Sequence, residues 1–227
     1  MTGATSRVAL VTGASSGIGA ATAHLLAVRG MRVVVNYLRG GTAAEEIVAG
    51  IEAAGGQAMA VQADVRESAA VENMIEQVQA AWGGIDVLVH NALIPYVIKP
   101  FQDMTWEELG GKLDDEMFAA FAVTKAVLPA MTEQGWGRII YLGAGPSRRP
   151  REGMIALGTA KAALASAFGG SWLLRGTKAV AQQIRGTPGA ANGRTWLGQT
   201  KPQLPCEQPL PNSPRSRTVT DQPARDR

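Results

Sequence analysis

Short β-branched runs alternate with longer stretches of helical period along the first three quarters of the chain. VALVT at 8–12, RVVVNY at 32–37, AMAVQ at 58–62, DVLVH at 86–90 and RIIYL at 138–142 read as strands. Between them, VENMIEQVQAAW at 71–82 puts Val71, Met74, Ile75, Val78 and Trp82 on one helical face. Earlier, Thr42 is placed to cap a helix that gathers Ile47, Val48 and Ile51. Strand, helix and strand repeated in this order predict an α/β fold, a Rossmann-like doubly wound parallel sheet with helices covering both faces. The alternation stops near Phe168. No further strand is read beyond it, so the expected sheet ends after its fifth strand with an unpaired edge.

Composition divides the chain at the same place. Residues 169–227 carry a net charge of +6 against −3 for residues 1–168, hold seven of the 12 prolines, and offer few large apolar side chains. Such a segment buries too little surface to offset its ordering entropy. The expected organisation is therefore a nucleotide-binding domain at 1–168 and a basic, proline-rich, irregular tail at 169–227. The tail has no aromatic stacking pattern to accompany its charge, and nucleic acid is not an expected partner. No apolar run approaches the length of a membrane span, and MTGATSRVALVTG has no secretory pattern. Cys206 is a single cysteine, which fits a reducing compartment, and cytoplasmic localisation is expected. No cluster has metal-ligand spacing.

The chemistry begins at VTGASSGIGAATAHLLA, where a strand, a glycine-rich turn and a helix start follow one another. Gly13, Gly17 and Gly19 allow a tight turn, close backbone approach to a phosphate and close packing of helix on strand. The spacing is GxxxGxG, and the flanking strand and helix lie on the sides a phosphate cradle requires.

TGASSGIG, from Thr12 through Gly13, Ser15, Ser16, Gly17 and Ile18 to Gly19, closely resembles the cofactor motif of the short-chain dehydrogenase/reductase family, in particular its 3-oxoacyl-carrier-protein-reductase-like members. The resemblance runs from about Val8 to Phe168. It implies that Asp64 and Val65 contact the adenine, and it matches Asn91 and Ala92 in HNAL to the family's Asn-Asn-Ala-Gly, where His90 and Leu93 differ. At the end of the second strand, an acidic residue would bind both ribose hydroxyls and repel a 2′-phosphate. This chain instead has NYLR, with Asn36, Tyr37 and Arg39, and Arg39 can accept that phosphate as a charge-assisted partner. NADP(H) is favoured over NAD(H), although Ser16 stands where many NADP-preferring relatives carry a basic residue.

The resemblance also implies a proton relay: a tyrosine, a lysine four residues later, a serine about 13 residues before the tyrosine, and an asparagine on the preceding helix. Lys161 is the lysine, implied to bind the nicotinamide ribose. The tyrosine position is Leu157 and the serine position is Ala144, neither of which can exchange a proton. Glu116 falls at the asparagine. In the DDEM run it is a candidate acid/base group if it faces the cleft, while three successive carboxylates ordinarily read as a solvated helix face. Tyr141 lies inside a strand and reads as packing, and His24 as a surface or packing residue. His90 ends a strand where α/β sheets place ligands.

The expected function is an NADP(H)-linked oxidoreductase of a carbonyl/alcohol pair, acting on an unidentified small molecule, with weak or absent turnover. The alternatives are a non-catalytic nucleotide-binding relative or a truncated or frame-shifted relic. A homo-oligomer is implied by the resemblance.

Overall fold

A computed structural model describes residues 6–168, together with the backbone of 178–185. Six strands form a single parallel sheet: β1 Val8–Val11, β2 Arg32–Tyr37, β3 Gln57–Gln62, β4 Val87–His90, β5 Trp136–Gly143 and β6 Lys178–Arg185. The helices are α1 Gly17–Val28, α2 Gly41–Ala53, α3 Ser68–Trp82, α4 Trp106–Glu133 and α5 Ile155–Phe168. The strand order is β3-β2-β1-β4-β5-β6, every pairing being parallel. The chain winds outward from β1 to one edge and then from β4 to the other. The switch between β1 and β4 opens a crevice at the carboxyl ends of the strands, where sheets of this kind bind ligands.

Alternation along the strands sorts side chains into two cores. Val8, Leu10, Val34 and Leu88 face the layer of α3, α4 and α5, where Met74, Val123, Met131 and Leu164 are buried. Ala9, Val11, Val33, Val35 and Val89 face α1 and α2, against Ala23, Ala27, Val48 and Ile51. A strand buried on both faces must be apolar at successive positions, the property that makes β1 read as VALV. The small buried stripe Gly19, Ala23 and Ala27 lets α1 lie close on the sheet.

Two local expectations differ from what is found. Helix α2 starts one residue before Thr42 and is entered through Gly40 at φ +79°, a left-handed conformation that the sharp return from β2 needs and that a threonine would adopt only under strain. The sheet also carries one strand more than the five read from the sequence: β6 pairs along its whole length with β5, from Trp136 opposite Lys178 to Gly143 opposite Arg185. KAVAQQIR has weak strand propensity, but β5 offers a full row of backbone donors and acceptors, and a parallel ladder draws on backbone rather than side-chain identity. The tail expected over 169–227 otherwise lies outside the described residues.

Adjacent residues of an edge strand alternate in which N–H faces the ladder. Replacing Ala179 and Val180 together by proline should therefore remove at least one β5–β6 bond and lower stability in urea denaturation by about 1–3 kcal/mol. An unchanged midpoint would remove β6 from the folded sheet.

Candidate functional site

The glycine-rich turn between β1 and α1 is held from three sides by polar side chains that spend their hydrogen bonds on backbone. Asn91, just past β4, donates through Nδ2 to the carbonyls of Thr12 and Gly13 at 3.0 and 2.9 Å. The Thr12 hydroxyl accepts the N–H groups of Asn91 and Ala92, both at 3.0 Å. Asn36 accepts the Gly13 N–H at 3.2 Å and donates to the carbonyls of Val61 and Ala63. Its side chain is buried and occupied within the fold, so Asn36 serves as a support for the turn, and its amide is not free for a ribose.

The glycines of this turn are needed for different reasons. A Cβ on Gly13 would lie 2.8 Å from Ala92 Cα, and one on Gly19 would lie 2.6 Å from Asn91 Nδ2. Gly17 has φ +56° and open space where a side chain would be. Ser16 precedes α1 with extended backbone and makes no side-chain capping bond, so the first-turn N–H groups of Gly17, Ile18 and Gly19 have no capping partner from it. Ser15 sits beside Gly40 of the loop after β2, where a Cβ on Gly40 would be 3.7 Å from Ser15 Oγ. The turn and that loop, which carries exposed Arg39 and ends against half-buried Tyr37, are therefore neighbours. Together these features form a cradle suited to an anion: open at Gly17, lined by backbone donors, with a guanidinium on the adjoining loop.

Asp64, past β3, is held by Arg66, whose Nη2 lies 2.7 Å and Nε 3.0 Å from its two oxygens. The Arg66 hydrogen bonds keep this carboxyl below the usual range, against the opposing push of burial. Val65 is buried.

Beyond the ends of β4 and β5 lies a buried ionic triad. The Glu116 carboxylate has no exposed surface, with Oε2 2.6 Å from Lys112 Nζ and Oε1 2.6 Å from Lys161 Nζ. Lys112 also donates to the carbonyl of Ile94 at 2.7 Å, and Lys161 to that of Leu142 at 3.0 Å. Burial pushes Glu116 up, but Lys161 and Lys112 outweigh it and hold the carboxyl below its ordinary value. Burial lowers Lys112, against the opposing pull of Glu116.

These positions correct the expectation of a solvated acidic face. In the DDEM run, Asp114 is exposed, Asp115 pairs with Arg66 at 3.1 Å, and Glu116 points inward. The stripe of α4 that faces the core runs through Lys112, Glu116, Ala119, Ala120, Val123, Val127 and Met131, so the helical period itself carries Glu116 inside. Ionised and closed to solvent, Glu116 is a counter-charge and lacks the proton a general acid needs at neutral pH. Lys161 is likewise a buried lysine whose partner lies within the chain.

Leu157 is buried one turn before Lys161 on α5, and Ala144 is half-buried after β5. Tyr141 lies within β5. It is buried, its oxygen lies 2.6 Å from Thr124 Oγ1, and burial pushes the phenol up to about 12. Ser147 spends its hydroxyl on the Ala144 carbonyl, and Thr159 is exposed. A cavity of about 590 Å³ opens between the loops after β4 and β5, against the outer side of α5 at Ile155, Gly158, Thr159 and Ala162. Neither Leu157 nor Lys161 lines it.

Comparison with known proteins agrees with this geometry. A family described as short chain dehydrogenase matches residues 7–170. The chain belongs to that family. It is 46% identical over 142 residues to a 3-oxoacyl-[acyl-carrier-protein] reductase from Synechocystis sp., a match spanning 63% of this chain and 57% of that protein. It is 47% identical over 98 residues to a short-chain dehydrogenase/reductase homolog from Bacillus subtilis, spanning 43% of this chain and 89% of that protein. Among solved structures, a dehydrogenase/reductase from Sinorhizobium meliloti superposes with a TM-score of 0.65 at 33% identity, covering 71% of this chain and 64% of that one. The chain thus spans little more than half the length of the cyanobacterial reductase it matches.

Within this short-chain dehydrogenase frame, sequence reading missed Lys112, and it placed Thr12 in the glycine motif without the role of its hydroxyl in holding Asn91 and Ala92. Lys112 stands four residues before Glu116, a spacing that places the two on one helical face, and that was the available signal. His24 is exposed and His90 is fully buried. His90 Nδ1 lies 3.4 Å from Thr12 Oγ1, whose lone pairs already receive two N–H groups, so the hydroxyl proton turns toward the ring. Nε2 then carries the imidazole proton and has no partner among the described residues.

Burial, reinforced by Lys161 and opposed by Glu116, pushes His90 down to about 4. Unfolded, it titrates near 6.5, so the unfolded chain binds more protons between those values. The contribution of neutral His90 is present above about pH 6.5 and is lost as pH falls toward 4. Urea denaturation should show roughly 2 kcal/mol less stability at about pH 4.5 than at pH 7. His90→Asn should flatten that slope, and an equal slope in both proteins would refute the assignment.

Proposed function

We propose that this chain binds a nicotinamide dinucleotide, NADP(H) in preference to NAD(H), in the crevice between β1 and β4, and is by descent an oxidoreductase of a carbonyl/alcohol pair with little or no turnover. The observation that carries this reading is the pairing of an intact anion cradle with apolar residues at the two proton-handling positions.

In this reading the N–H groups at Gly17, Ile18 and Gly19 meet the pyrophosphate, while Ser15 and Ser16 line the turn. Arg39 meets the 2′-phosphate beside Tyr37. Asp64 and Val65 border the adenine, whose amino group the Asp64 carboxylate can still accept, since Arg66 leaves it free lone pairs. Asn91 and Ala92 hold the turn toward the nicotinamide end, and Lys161 meets the ribose there. The bound nicotinamide would supply or accept the hydride. On the protein side, Leu157 offers no proton to an alkoxide and Ala144 no hydrogen bond to a carbonyl oxygen, so both terms that lower the barrier in family members are missing. The same observation favours a second reading, a nucleotide-binding relative without catalysis. The relic reading rests on residues outside the described ones. No described helix is long and apolar enough to cross a membrane, and the exposed Trp106, Phe118 and Phe121 of α4 support a homo-oligomer.

Calorimetry should find saturable NADPH binding, with Arg39→Ala weakening NADPH by roughly tenfold while leaving NADH nearly unchanged. Absence of saturable binding of either nucleotide would remove the proposal. Ketone reduction by the unaltered chain should not exceed that of Lys161→Ala. Joint replacement of Leu157 by Tyr and Ala144 by Ser should raise turnover by about 10²–10⁴. Ready turnover by the unaltered chain would instead show that another group supplies the proton.

A further inference from the structure

We propose that Lys112 is a positioning residue for the nucleotide site: it restores to Lys161 the net positive charge that Glu116 would otherwise cancel, and so biases the cleft toward the reduced nucleotide. This rests on the nucleotide reading above. A neutral side chain at the Glu116 position would leave the charge of Lys161 uncancelled. Here a carboxylate lies 2.6 Å from that lysine, and alone the pair would be neutral. Lys112, one turn earlier on α4, sits 2.6 Å from the other carboxylate oxygen and brings the buried group back to one net positive charge.

The three side chains are almost wholly withdrawn from water, with relative exposures of 1%, 0% and 5% for Lys112, Glu116 and Lys161. Their charges are therefore weakly screened and felt across the cleft. Two further bonds fix where that charge lies. Lys112 holds the Ile94 carbonyl in the loop after β4, and Lys161 holds the Leu142 carbonyl of β5, so the triad ties α4 to that loop and α5 to β5. An oxidised nicotinamide ring is cationic and a reduced one is neutral. A net positive group beside the ribose penalises the oxidised form, and a neutral group does not.

The test compares dissociation constants for NADP+ and NADPH in the full chain. Lys112→Met keeps the apolar stem and removes the charge. It should lower the preference for NADPH over NADP+ by about tenfold. Lys112→Arg should retain the preference of the unaltered chain. Joint replacement of Lys112 by Met and Glu116 by Gln, which returns the site to one net positive charge, should recover it, whereas a merely structural role for Lys112 would move both constants together. A preference within twofold of the unaltered chain in Lys112→Met, or one left low in the double variant, would overturn the inference while the nucleotide reading stands. If Lys112→Met does not fold, Glu116→Gln, which leaves both lysines and two net positive charges, should raise the preference for NADPH by about tenfold, and a preference within twofold of the unaltered chain would overturn the inference. No binding of either nucleotide by the unaltered chain would overturn both readings.

Discussion

The Glu116 carboxylate, closed to solvent and gripped by Lys112 and Lys161, constrains more of this molecule than any other contact. An unpaired carboxylate in that position would be untenable, and removing one member of a buried ionic group costs about 3–5 kcal/mol. Lys112 also holds the Ile94 carbonyl in the loop after β4 and Lys161 the Leu142 carbonyl near the end of β5, so α4 and α5 are both tied to the carboxyl side of the sheet. The crevice beyond β4 and β5 owes its walls to electrostatic pairing as much as to apolar packing.

A second set of polar groups works differently. Around the glycine turn, the Thr12 hydroxyl accepts two backbone N–H groups, the Asn91 Nδ2 donates to two backbone carbonyls, and the Asn36 amide both accepts from and donates to backbone. They hold the main chain in place so that its N–H groups and the open side of Gly17 meet what lies outside. Ala144, after β5, and Leu157, on α5, carry no exchangeable side-chain proton.

Much of this was legible in the sequence. The strands beginning near Val8, Arg32, Gln57, Val87 and Trp136 announced themselves because a parallel sheet covered on both faces must be apolar at successive positions. The glycine turn was equally plain, since Gly13, Gly17 and Gly19 answer local steric demands. Glu116 was not, because three consecutive carboxylates look alike in composition, and only the phase of α4 separates exposed Asp114 from Asp115 on Arg66 and from interior Glu116. β6 was missed because KAVAQQIR is placed in the sheet by the partner β5 supplies, not by its own propensity.

The sequence by itself determined the class of fold and the place of the glycine-rich turn between β1 and α1. Each of these follows from local periodicity or local backbone sterics. Tertiary structure alone decided that Asn36 is spent inside the fold, that His90 is buried with an Nε2 that has no partner among the described residues, and that Glu116 is met by both Lys161 and Lys112. Those outcomes depend on groups from different elements being packed out of water together, where an unmet charge or donor is costly, and no local pattern encodes which groups will meet.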